Sequence, residues 1–231
     1  FLRWVGAATL ILTLGASEAG AAAKPSGAPL PRSTVRKAAK TIDNATHMDV
    51  NNLDMFVTNH GSYAWDLTTG NSGLIYPKGS TKTAVFAAGP WIGAKVAGDI
   101  RIAVGEYSQE FSPGPMAGGT FQPDNARFKN YKIVRGDVTS YDYVNWPVAD
   151  GAPVDSLGNP ALLGDAMIWS VYNDADPSVH TNDAGFTDPL GVEIQQSTFA
   201  FNRIGALGNI IFIRYKLINK GGNQLDSMFV S

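Results

Sequence analysis

A chain of 231 residues with 20 acids against 18 Lys and Arg, a formal net charge of −2, has no basic stripe to displace counterions from nucleic acid and no polybasic or acidic block. Cysteine is absent, which excludes disulfide staples and thiolate metal sites and leaves the fold to be held by its core. With 25 glycines, only 16% charged residues and sixteen Asp against four Glu, the composition favours turns and strands over surface helices, because Asp bonds nearby backbone amides.

The chain opens on Phe1 without an initiator methionine, so its start is expected to be clipped. Arg3 precedes an uncharged apolar run over residues 4–14, within the ~7–15 residues of a signal-peptide core and short of the ~20 that span a bilayer. Ala19-Gly20-Ala21 and Ala21-Ala22-Ala23 then satisfy the small-residue pattern that the signal peptidase requires. Residues 1–23 therefore read as a signal peptide cleaved after Ala21 or Ala23, with no transmembrane segment left after its removal. The competing reading, a buried apolar helix, leaves the alanine tract unexplained.

Residues 24–48, with three prolines, a cluster of basic groups and few large apolar residues, read as a flexible leader; a helix over 35–42 would have too thin an apolar face to dock. Strands are expected at 53–58, at 84–98 and 99–111 paired across a tight turn at Ala97-Gly98, and at 131–134 and 166–172. Residues 191–202 are expected to pair with 210–219, where Ile211, Ile213, Tyr215 and Leu217 share one face and Arg214 and Lys216 the other. Asn219 to Asn223 supplies glycines for a turn, so 225–230 is expected to close a hairpin back onto 210–219.

Turn signals every 8–12 residues without a helical period give the fold class: all-β, an antiparallel β-sandwich of jelly-roll type over residues 49–231. The turn-rich stretch before Gly158-Asn159-Pro160 is either a sub-boundary near 158–160 or one long loop. Because the chain stops at Ser231 beside a strand, the sandwich is expected to be incomplete there and to continue in a longer protein.

No nucleophile elbow, zincin motif, phosphate loop or dinucleotide fingerprint is present, and His47, His60 and His180 share no ligand spacing. Glu106 and Glu110, if both lie on one strand, stand roughly 13 Å apart, too far for the ~5 Å or ~6.5–9.5 Å of glycosidase carboxylate pairs. They are expected to face solvent or a basic neighbour. Asp174 and Asp176, followed by Asp183, concentrate hard oxygen ligands in one loop and make a candidate calcium site. It is no EF-hand, since Val179 and Gly185 occupy the glycine and glutamate positions; the alternative is a capped, solvated loop in which the Asp side chains bond local amides. Tyr141, Tyr143 and Trp146 make a candidate aromatic platform for glycans, with core packing as the alternative. Trp91 and Trp169 are expected to be buried, and Trp65 and Trp146 to face water.

The segments TAVFAAGPWIGAKVAGDIRIAVGEYSQEFSPGPM, PLGVEIQQSTFAFN and NIIFIRYKLINKGGNQLDSMFVS resemble the N-terminal region of large exported bacterial proteins that end in a type IX secretion sorting domain. The resemblance covers residues 50–231 and rests on strand and loop signatures. It implies export across the outer membrane and residence outside the cell or on its surface; it carries over no site residue.

The function expected is that of a secreted or cell-surface structural or adhesive β-domain without catalytic activity of its own, meeting glycans or other cell-surface proteins. Two alternatives stand beside it. One is the ancillary domain of a secreted hydrolase acting on polysaccharide or protein. The other is a calcium-dependent glycan-binding module using Asp174, Asp176 and Asp183 with Trp146 or Tyr143.

Overall fold

A computed structural model describes residues 6–13, 45–106, 110–182 and 184–231. Its strands are β1 (Gly6–Thr13), β2 (Ala45–Met48), β3 (Asp54–Thr58), β4 (Leu74–Ile75), β5 (Thr83–Val85), β6 (Trp91–Val96), β7 (Asp99–Val104), β8 (Ser112–Pro113), β9 (Tyr131–Val134), β10 (Ala166–Asn173), β11 (Val192–Ala200), β12 (Ile210–Asn219) and β13 (Asp226–Val230). One helical turn, α1 (Tyr141–Val144), interrupts them. The chain is all-β, and every pairing between these strands is antiparallel. Among the described residues no helix is long and apolar enough to cross a membrane, which leaves strand-built membrane proteins unaddressed.

Strand β10 organises the molecule because its sequence, AMIWSVYN, has no wet face, and all eight residues are buried. Ala166, Ile168 and Tyr172 enter the main core, whereas Met167, Trp169 and Val171 enter a second cluster on the opposite face. A strand so placed must lie inside a sheet covered on both sides. It does: the largest sheet runs β1-β12-β11-β10-β8, with β9 also paired to β10.

The main core lies between this sheet and two smaller ones, β13-β6-β7 and β2-β3-β4-β5. Met55 and Val57 of β3, Ile92 and Ala94 of β6, Ile194 of β11 and Ile213 of β12 meet there, each of the larger side chains worth on the order of 1.5–3 kcal/mol by burial. The arrangement is a sandwich. On the outer face of the large sheet, Trp146 and Ala152 pack over Tyr131 and Ile133 of β9 and Met167, Trp169 and Val171 of β10.

The β6–β7 hairpin forms as expected, with Ala97 and Gly98 both at positive φ (52° and 97°), the backbone that a two-residue turn of this twist demands. The β11–β12 pair also forms as expected. The hairpin expected after it does not. Strand β13 pairs with β6 in another sheet, while β12 pairs with β11 on one side and with Gly6–Thr13 on the other.

Two boundaries move. Residues 45–48, read as leader, form β2 and hydrogen-bond to β3. Strands before and after Gly158–Pro160 share one sheet, β8 and β9 pairing directly with β10, so the stretch is a loop laid over a continuous sheet. Residues 1–5 and 14–44, which hold most of the expected signal peptide and leader, lie outside the described residues.

Candidate functional site

The acidic loop after β10 is built around a carboxylate that faces inward. Asp174, fully buried, accepts backbone N–H groups from Leu190 (2.6 Å), Gly191 (3.0 Å) and Val192 (2.6 Å), clasping the two ends of the excursion between β10 and β11. Its carbonyl oxygen receives the Nε2 proton of His180 at 2.8 Å, which fixes that tautomer because a carbonyl can only accept. Asp176 caps the following 3-10 turn through the amide and hydroxyl of Ser178, at 2.9 and 2.7 Å. Asp183 lies outside the described residues. Asp176 bonds a local amide, as the capped-loop alternative expects, whereas Asp174 is buried and bonds amides 16 to 18 residues on; among the described residues no group of three or more His, Asp or Glu converges as metal ligands.

Glu110 belongs to the same interior. It is 1% exposed rather than facing water, since β7 ends at Val104 and the chain then turns in; its two oxygens accept the amides of Val104 (3.0 Å) and Asn182 (2.9 Å). Burial pushes the carboxyls of Glu110 and Asp174 above the ordinary range, against the pull of these amides and of His180. The other two histidines stay apart, His47 on Asp54 at 2.6 Å and His60 beside the Thr58 hydroxyl at 3.1 Å.

The three aromatic residues proposed as a platform divide. Tyr141 in α1 is 70% exposed, under the ammonium of Lys129 at 5.4 Å. Tyr143 is half-buried against the second cluster. Trp146 is buried, tilted against Trp169 at 6.1 Å and edge-on to Tyr131 at 6.3 Å, with its Nε1 proton on the Pro153 carbonyl at 2.9 Å. The expectation for two tryptophans reverses accordingly: Trp146 is core and Trp91 is 41% exposed, because Ile92, Ala94 and Val96 take the inward face of β6. Trp169 is buried as expected.

A concave site lies on the outer face of the large sheet, at the edge of that aromatic cover. Register aligns side chains there in rows: Trp169, Ser197 and Arg214 in one, Val171, Gln195 and Lys216 in the next. Gly151 and Pro153 stand on one side of a cavity of about 320 Å³ whose strand side is lined by Trp169, Gln195, Ser197, Arg214, Tyr215 and Lys216. Gly151 sits at φ 101°, where a Cβ would stand 2.2 Å from the Gln195 amide nitrogen, so glycine lets the loop descend onto the strand. The Gln195 amide donates to Glu193 at 3.1 Å, and the buried Glu193 carboxylate also holds Lys220 and the amide of Met116. In the adjoining row Phe199 stacks on Phe212 at 5.2 Å, with Phe201 edge-on to both.

Sequence reading noted that Arg214 and Lys216 point away from the core but did not assemble the groove. Its signal was the parallel alternation of Glu193, Gln195 and Ser197 with Arg214 and Lys216 on two strands expected to pair.

Fold and site define an all-β, antiparallel sandwich whose buried acids secure loops and whose outer face carries a cationic groove. Comparison with known proteins gives no matching family model, no matching curated protein and no matching solved structure.

Proposed function

We propose that this chain is an exported β-domain acting outside the cell or on its surface as a structural or adhesive module, with no chemistry of its own. The observation that supports this reading is the use made of its interior acids. Asp174 spends its carboxylate on three backbone amides, Glu110 on two, and Glu193 on an amide and a lysine, each fastening a loop to the sandwich. Groups committed in this way hold geometry, and what remains for contact is the outer surface. The sequence of residues 1–23 and the resemblance of residues 50–231 support export by the type IX route. On this reading cleavage removes Gly6–Thr13 from the edge of β12.

Two measurements test it. N-terminal sequencing of the mature protein should begin at Ala22 or Lys24, and protease added to intact cells should degrade the protein. Protection from protease together with an uncleaved N-terminus would refute export. Deleting the chain should reduce attachment of cells to a surface or to one another, and an unchanged attachment would refute the adhesive role.

A further inference from the structure

We propose that the groove on the outer face of β10, β11 and β12 binds a saccharide bearing a carboxylate, a uronic-acid residue of an acidic glycan. The inference rests on the adhesive reading above and supplies its ligand class.

Charge is the first ground. Arg214 and Lys216 stand two residues apart on β12, on the same face, and among the described residues neither is engaged by an acid. Nearby acids are already paired: Glu193 with Lys220, and Asp150 with Arg127 at 2.8 Å. Two neighbouring cations left without carboxylates on a protein of net charge −2 repel one another and favour an incoming anion. The planar guanidinium of Arg214 matches a carboxylate through two parallel N–H donors, with Lys216 adding a point charge beside it.

The floor supplies the second ground. Ser197 and Gln195 lie directly across from Arg214 and Lys216, almost buried at the base of the groove, and place a hydroxyl and an amide carbonyl there, the groups that bond sugar hydroxyls. A volume of about 320 Å³ stands at the small end of the ~300–1,000 Å³ of ligand sites, suited to one ring rather than a large ligand. Apolar surface completes the fit: Phe199, Phe201 and Phe212, half-buried in the adjoining row, offer ring faces against which the C–H faces of further rings pack. Gly151 and the bond from Glu193 to Gln195 hold the wall and floor in place before any ligand arrives.

The experiment is calorimetric titration of the purified protein with galacturonate and glucuronate oligosaccharides at low salt. Neutral oligosaccharides of the same length and a polyglutamate peptide serve as controls. Uronate oligosaccharides should bind, neutral ones at least about tenfold more weakly, and binding should weaken further as salt rises. Arg214→Gln and Lys216→Gln should each cost about tenfold, with unchanged thermal unfolding showing that both variants fold. The proposal is overturned if uronates do not bind at millimolar concentration, if the double variant binds as the parent does, or if polyglutamate binds equally well. Failure here while cell attachment still depends on the chain would sink this ligand assignment and leave the adhesive reading standing.

Discussion

The two faces of the large sheet are built by the same three strands and do different work. On the inner face, Ile168, Ile194 and Ile213 pack against two further sheets. On the outer face the same strands carry Trp169, Ser197, Gln195, Arg214 and Lys216, covered in part by Trp146 and Ala152 with Leu162 and Leu163. The difference teaches that strand alternation makes two faces, but a covering segment decides what each becomes. Where Trp146 reaches over, the outer face is core; where Gly151 and Pro153 stop, it is a groove.

The strongest way to break the comparison is to remove the roof's anchor. Trp169→Ala should destabilise the protein by about 3–5 kcal/mol, read from chemical denaturation, because the ring is 2% exposed and its loss empties the cluster around Trp146. A cost under 1 kcal/mol would mean that the roof does not pack as described. Next in size is Asp174→Ala, which strands the amides of Leu190, Gly191 and Val192 and should cost on the order of 3 kcal/mol by the same measurement. By contrast, Arg214→Gln combined with Lys216→Gln should change stability by no more than about 0.5 kcal/mol, since both side chains are at least partly exposed and occupy no core.

Acid sharpens the contrast between interior and rim. Asp174 and Glu110 have folded-state pKa values raised by burial, so their contribution is fully present below the ordinary carboxylate range of about 4 and is lost as pH rises through the raised values. The stability advantage of the parent over Asp174→Asn should therefore shrink as pH climbs from about 4 toward neutrality. Asp165 behaves oppositely. Arg135 at 2.7 Å, with the Asn202 amide and Arg203 assisting, holds its carboxyl below the usual range, so its contribution is present above about pH 4 and lost as pH falls through the depressed value. Thermal melts of Asp165→Asn and Asp174→Asn against pH should therefore diverge in opposite directions, and parallel curves would refute the assignment. The smallest effect expected is that of calcium: millimolar ion against excess chelator should leave the melting temperature unchanged, because Asp174 is sealed by amides and Asp176 by its turn.

Much of the sandwich was legible in the chain. The apolar run of β10, the alternation of β12 and the Ala97-Gly98 turn are local patterns that act within a strand or between neighbours, and each appears where the pattern put it. The site was less legible. Asp174, Asp176 and Asp183 look alike in sequence, yet one clasps a loop from the inside and another caps a turn, because burial is set by what folds over a residue. Trp91 and Trp146 exchanged places for the same reason.

The all-β class, the turn positions and the two-faced character of the strands follow from side-chain period and backbone preference over a few residues, and so were written locally in the chain. Only the tertiary structure decided that β13 leaves β12 for β6, that Glu110 turns inward, and that Arg214 and Lys216 share a walled groove with Trp169. Those outcomes depend on contacts between segments up to some hundred residues apart, such as the Asn182 amide on Glu110, and the energy of such a contact exists only once the chain has brought its two ends together.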